Sequence, residues 1–131
     1  MVSTAEDYAR FCQMMVDGGS LNGTRILGPK TVDLMTTSHL PPEIESFSID
    51  GQSGFTRGCG FGLGFSIVQD VAASGVAGSN GSYFWGGAAS THFWIDPVED
   101  LYAILMTQFM PVSHYPIRSE FQTLVYQALV E

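Results

Sequence analysis

Trp85-Gly86-Gly87-Ala88 is the stretch of this sequence best suited to chemistry. Gly86 and Gly87 carry no Cβ, so a ligand or a second backbone can approach the main chain closely while the peptide N–H groups stay accessible. N–H groups presented in this way bind an oxyanion. The competing reading of the two glycines is a bulge that bends a strand, and spacing alone favours it. His92 is the nearest histidine and could serve as a general base. It has no acidic neighbour in the sequence to orient the ring, which points instead to a structural residue. His39 and His114 stand close to prolines in loop-like sequence. The three histidines show neither His-x-His nor His-x-x-x-His spacing, so no metal is assigned, and no cofactor is implied.

The glycine pair lies inside Ser82–Asp96, where aromatic runs on both sides of small residues predict a hairpin. Leu101–Gln108 is almost continuously apolar, which predicts a strand buried on both faces or central in a sheet. Cys59–Gln69 alternates Phe61, Leu63, Phe65 and Ile67 with Gly60, Gly62 and Gly64, predicting one strand with a stripped face against which another element packs. No helix pattern opens after these glycines, so they are not a dinucleotide fingerprint. Asp70–Asn80 reads as a turn, and Pro42–Gly58 as a long surface loop. That loop is either simply mobile or part of a pocket rim.

Helices are expected at both ends. Ser3 and Glu6 have capping-box spacing. Ala5, Tyr8, Ala9, Cys12, Met15 and Val16 then recur on one helical face, and Gly18-Gly19 supplies the stop. Asn22-Gly23 predicts a tight turn. Pro29 suits the start of a second helix running to Thr36, with Val32, Leu34 and Met35 as its contacts. Ile117, Phe121, Leu124, Val125, Ala128 and Leu129 form the stripe of a terminal helix, which must be buried on the sheet. The predicted fold class is α+β, an antiparallel β-sheet flanked by N- and C-terminal helices in a single domain spanning residues 1–131.

Five Lys and Arg stand against thirteen Asp and Glu, a formal charge of −8, so a phosphate backbone would be repelled and nucleic acid is not an expected partner. Hydrophobic residues make up 45% of the 131, enough for a core. Cys12 and Cys59 lack metal-ligand spacing and read as thiols outside any disulfide. No apolar run approaches the ~20 residues that span a bilayer. With no secretory signal in view, the expectation is a soluble cytoplasmic protein without membrane contact, although a leader upstream of this chain would be invisible.

Trp85-Gly86-Gly87, preceded by Gly81 and followed by Thr91–Asp96, resembles the third motif of the serine β-lactamase and penicillin-binding superfamily, which reads Lys-Thr-Gly in many members and Trp-Gly-Gly in the esterase-like, class C-related branch. Val2–Phe11, Gly60–Phe65 and Trp94–Gln108 resemble further stretches of that branch in the same order; His39–Arg57 matches least. The superfamily places its nucleophile in Ser-x-x-Lys and its second motif in Tyr-x-Asn or Ser-x-Asn, both ahead of the region resembled here. Neither is expected in this chain. Lys30 is its only lysine, and neither Ser3 nor Ser119 is followed by one at the third place.

The resemblance implies the C-terminal segment of a serine hydrolase that forms an acyl-serine. It implies that the Ala88 N–H donates to the oxyanion, and that Trp85, Gly86 and Gly87 form a pocket wall. Where penicillin-type enzymes place a lysine, Trp85 offers an indole, which favours an uncharged small-molecule ester over a carboxylate-bearing lactam. The chain is then expected to be inactive alone. Its Leu101–Gln108 edge would pair with the missing N-terminal segment or with a second copy of itself; a noncatalytic module that binds through this edge is the alternative.

Overall fold

A computed structural model describes residues 3–41, 43–44, 47–49, 52–55 and 57–130. Helix α1 (Ala5–Val16) is capped by Thr4, whose hydroxyl accepts from the Asp7 N–H at 3.1 Å. The expected cap, Ser3 with Glu6, is therefore displaced by one residue. Asp7 takes the third helical position, and Glu6 is left to pair with Arg10 on the surface. The stop is as expected: Gly18 takes φ +60°, Gly18 N–H donates to Met15 O at 3.2 Å and Gly19 N–H to Met14 O at 2.8 Å. That pair of bonds satisfies two carbonyls at the helix end. Asn22-Gly23 joins the short strands β1 (Ser20–Leu21) and β2 (Thr24–Arg25) in a two-residue turn with both φ values positive. Helix α2 (Pro29–Met35) begins on Pro29 and buries Val32, whereas Leu34, an expected contact, is 53% exposed.

Two predicted spans are different in the structure. Pro42–Gly58 is not simply a loop: β3 (Phe47–Ile49) pairs antiparallel with β4 (Gln52–Phe55), Ile49 opposite Gln52. Asp50-Gly51 between them is a dipeptide of the two-residue hairpin class, a signal outweighed by the polar composition around it. The side chains of this pair lie outside the described residues, and so does any role at a pocket rim. Cys59–Gln69 forms two strands, β5 (Cys59–Phe61) and β6 (Ser66–Val68), rather than one. Gly62 N–H donates to Phe65 O at 2.8 Å and Gly64 takes φ +97°, so the chain reverses where period-two alternation suggested continuation. The stripped face is used: a Cβ on Gly60 would overlap Ser38, and one on Gly62 the carbonyl of Met35.

A one-turn helix α3 (Val71–Ser74), capped by Asp70, occupies part of the expected turn before the hairpin of β7 (Tyr83–Gly86) and β8 (His92–Asp96). β9 (Leu101–Leu105) follows, and the five-stranded antiparallel sheet runs β5-β6-β7-β8-β9. Among the described residues β9 is thus an edge strand and half-buried, not central, with α1 and α4 against its two faces. One sheet face carries Tyr83, Phe93 and Ile95, packed on Cys12, Met14 and Met15 of α1. Helix α4 (Ile117–Gln127) accompanies the opposite face, where its Phe121 meets Trp94 edge-on at 5.5 Å. The architecture is the predicted α+β arrangement of an antiparallel sheet with N- and C-terminal helices.

Candidate active site

β7 and β8 pair without interruption from Tyr83 opposite Ile95 to Gly86 opposite His92, so Gly86 closes a regular ladder and is no bulge. Alternation then sends Trp85 to the α1 face, half-buried and edge-on to Phe61 at 5.1 Å, and leaves Gly86 on the α4 face. A Cβ at Gly86 would lie 2.7 Å from Nη2 of Arg118. Its absence is what lets the guanidinium lie against the strand. Arg118 Nη2 donates to the carbonyls of Gly87 and Thr91, each at 2.9 Å. Burial pulls the Arg118 pKa below its ordinary value.

Past the ladder the Gly87 N–H is spent on Thr91 O at 3.0 Å, and Ser90 N–H donates to Gly87 O at 3.1 Å. Ser90 takes φ +64°, is buried, and anchors the turn by donating its hydroxyl proton to Phe109 O at 2.9 Å. Ala88 is exposed at the head of this turn, and among the described residues its N–H donates to no backbone carbonyl. Of the four residues singled out in the sequence, Trp85, Gly86 and Gly87 line one cleft of about 300 Å³, and Ala88 adjoins its rim in the chain. Ser3 and Tyr8 at the start of α1, and Ile104–Met106 at the end of β9, complete the wall.

His92 borders the same cleft but is unsuited to proton abstraction. Its ring lies 5.6 Å from that of Phe84 and 5.9 Å from that of Trp94. Burial first, and the Arg118 charge second, push its pKa down to about 4. It is neutral near pH 7 and structural, as its sequence context suggested. Tyr8 was legible only as part of a helical face and Thr91 only as a flank of the motif; their places at the cleft, and any role for Arg118, were not. Burial, and to a lesser extent Cys12, raise the Tyr8 phenol pKa, so a neutral hydroxyl-bearing ring stands at the cleft. Nothing in the sequence links Arg118 to the hairpin, because they meet only through the packing of α4. One correction concerns the second motif: Ser20-Leu21-Asn22 does spell Ser-x-Asn. Asn22 is the exposed turn residue between β1 and β2, however, and neither it nor Ser20 lines the cleft.

A five-stranded antiparallel sheet with a helix at either end of the chain is the architecture of the C-terminal part of β-lactamase-fold proteins. The beta-lactamase family model matches residues 1–126, and the chain belongs to that family. Protein Rv1367c of Mycobacterium tuberculosis is 39% identical over 112 residues, which is 83% of this chain and 28% of the relative. The chain therefore spans little more than a quarter of that relative's length. Among solved structures, EstCE1, a hydrolase with promiscuous acyltransferase activity, superposes with a TM-score of 0.76 at 23% identity, over 95% of this chain and 30% of its own. Simvastatin synthase (LovD) from Aspergillus terreus superposes at 0.69 and 24% identity, over 92% and 33%. At these identities the likeness is one of fold.

Proposed function

We propose that this chain forms one wall of a serine hydrolase site that cleaves small carboxylic esters through an acyl-serine. The observation carrying this reading is the turn after β7: Gly87 is engaged internally while the next N–H, that of Ala88, is left at an exposed position beside an apolar cleft. An attacked ester carbonyl becomes a tetrahedral oxyanion, and a fixed N–H aimed at it lowers the barrier. Trp85 gives the cleft an apolar wall with no cation, which suits an uncharged acyl group. No serine here is followed by lysine at the third place, so the nucleophile comes from outside this sequence. The acyl transfer of which EstCE1 is capable belongs to the same reaction class.

The test replaces the matching region of Rv1367c by this chain and follows p-nitrophenyl butyrate hydrolysis by the parent, the chimera and the 131-residue chain alone. Turnover by parent and chimera, with none by the chain alone, is the expected result. Turnover by the chain alone, or a folded chimera silent where its parent is active, contradicts it.

A second reading rests on β9, an outer strand bonded, among the described residues, only to β8 in its sheet. Its free edge would pair with another segment or with a second copy of the chain, as a noncatalytic module would. Sedimentation at high concentration decides this: a soluble monomer throughout contradicts self-pairing.

A further inference from the structure

Arg118 is an unusual cation for this chain. Arg10 and Lys30 pair with carboxylates on the exposed surface, and the exposed Arg25 donates to the carbonyls of Gly18 and Leu27, whereas Arg118 is half-buried and donates to two carbonyls at opposite ends of the turn that carries the Ala88 N–H. One of them is the carbonyl of Gly87, which belongs to the same peptide unit as the Ala88 N–H. A peptide is planar and trans, so fixing the direction of its C=O fixes the opposite direction of its N–H. A charged donor on the oxygen also draws electron density through the amide and makes the N–H a stronger donor. Gly86 is the condition for this contact, since a Cβ there would stand 2.7 Å from Nη2 and 2.9 Å from Cζ. The second bond, to Thr91 O, holds the far end of the turn to the same nitrogen and keeps the peptide from rotating.

We propose that Arg118 is a positioning residue that orients and polarises the Gly87–Ala88 peptide from behind. It acts on the oxyanion donor without touching substrate. The role in catalysis rests on the oxyanion reading of Ala88; the clamp on the peptide does not, and the two are separable by experiment. It assigns Gly86 a purpose other than ligand access: it is small so that a guanidinium fits behind the turn.

Amide NMR of the 131-residue chain tests the clamp directly. Arg118→Met is expected to move the Ala88 amide proton upfield and to slow its base-catalysed solvent exchange, because an exposed N–H has no protection to lose and a less polarised amide is less acidic, with the amides of Leu124 and Val125 in α4 unchanged. Gly86→Ala, which keeps the arginine but displaces it, should give the same signature. Millimolar ethylguanidinium should restore the Ala88 resonance in Arg118→Ala. An Ala88 amide that keeps its shift and exchange rate in all three variants, with α4 folded, overturns the proposal. In the ester-cleaving chimera, Arg118→Met should lower kcat by ten- to a hundredfold with KM changed less than about twofold, since a lost oxyanion donor costs on the order of a hundredfold. A displaced Ala88 amide with unchanged kcat would refute the catalytic part and the oxyanion reading together, while leaving the clamp in place.

Discussion

At the scale of single residues, burial decides which titratable groups can act. His92 is 7% exposed, and its folded pKa of about 4 lies below its ordinary 6.5. Between those values the unfolded chain binds the proton and the folded chain does not. The stability that depends on a neutral His92 is thus complete above pH 6.5, declines as pH falls towards 4, and changes no further below that. The whole decline is worth roughly 3 kcal/mol. His92→Phe, which keeps an aromatic ring between Phe84 and Trp94, should remove this component: the Tm difference between pH 7 and pH 5 should be smaller in the variant than in the wild type. Equal differences would show that His92 is solvated. Cys12 gives a second check. It is 0% exposed and burial pushes its thiol up to about 12, so it should resist maleimide at pH 8 until denaturant is added. The identity of the hairpin residues was legible in the sequence because glycines next to aromatics are a local signal. The function of Gly86 was not, because the group that needs its missing Cβ is Arg118, 32 positions further along and on another element.

At the scale of elements, the instructive case is α4. Ile117, Leu124, Val125, Ala128 and Leu129 looked like a buried stripe with Phe121, yet Leu124 is 64% exposed and Leu129 44%. The face turned to the sheet is Arg118, Phe121, Gln122, Val125 and Tyr126, which has the same helical spacing. What rotates the helix is polar bonding to groups buried by the sheet. Asp96 is wholly buried; it accepts from the Tyr126 hydroxyl at 2.7 Å and the Ser79 N–H at 3.1 Å, and Gln122 donates to Ala77 O at 2.9 Å. Leaving a buried carboxylate one donor short is costly, whereas an apolar side chain left at the surface costs little. Hydrophobic periodicity could not weigh these terms, since it scores Tyr126 and Gln122 as polar. Tyr126→Phe should therefore destabilise the chain by about 1–3 kcal/mol in urea unfolding. Leu124→Gln should change it by no more than about 0.5 kcal/mol. The reverse order would mean that the apolar stripe seats the helix. The failure at Cys59–Gln69 has a similar origin: alternation across Gly62 and Gly64 looked unbroken, but those glycines reverse the chain beneath the end of α2.

At the scale of the molecule, fold class and family were legible because terminal helices, a central hairpin and a final apolar strand come in a recognisable order. The open edge of β9 followed from the resemblance, but its half-burial did not follow from its apolar run, which says that a strand is covered and not by which neighbour. Among the described residues no helix is long and apolar enough to cross a membrane. The cleft joins three distant parts of the chain, the start of α1, the β7–β8 turn and the end of β9, so a single donor there is meaningful only if the whole sheet holds it in place. The most direct measurement is kcat for p-nitrophenyl butyrate in the Rv1367c chimera, with and without Ala88→Pro, a substitution that removes one N–H and leaves the cleft-lining side chains intact. A fall of about a hundredfold at nearly constant KM is expected if the Ala88 N–H stabilises the oxyanion. An undiminished kcat in a folded Ala88→Pro chimera would contradict it.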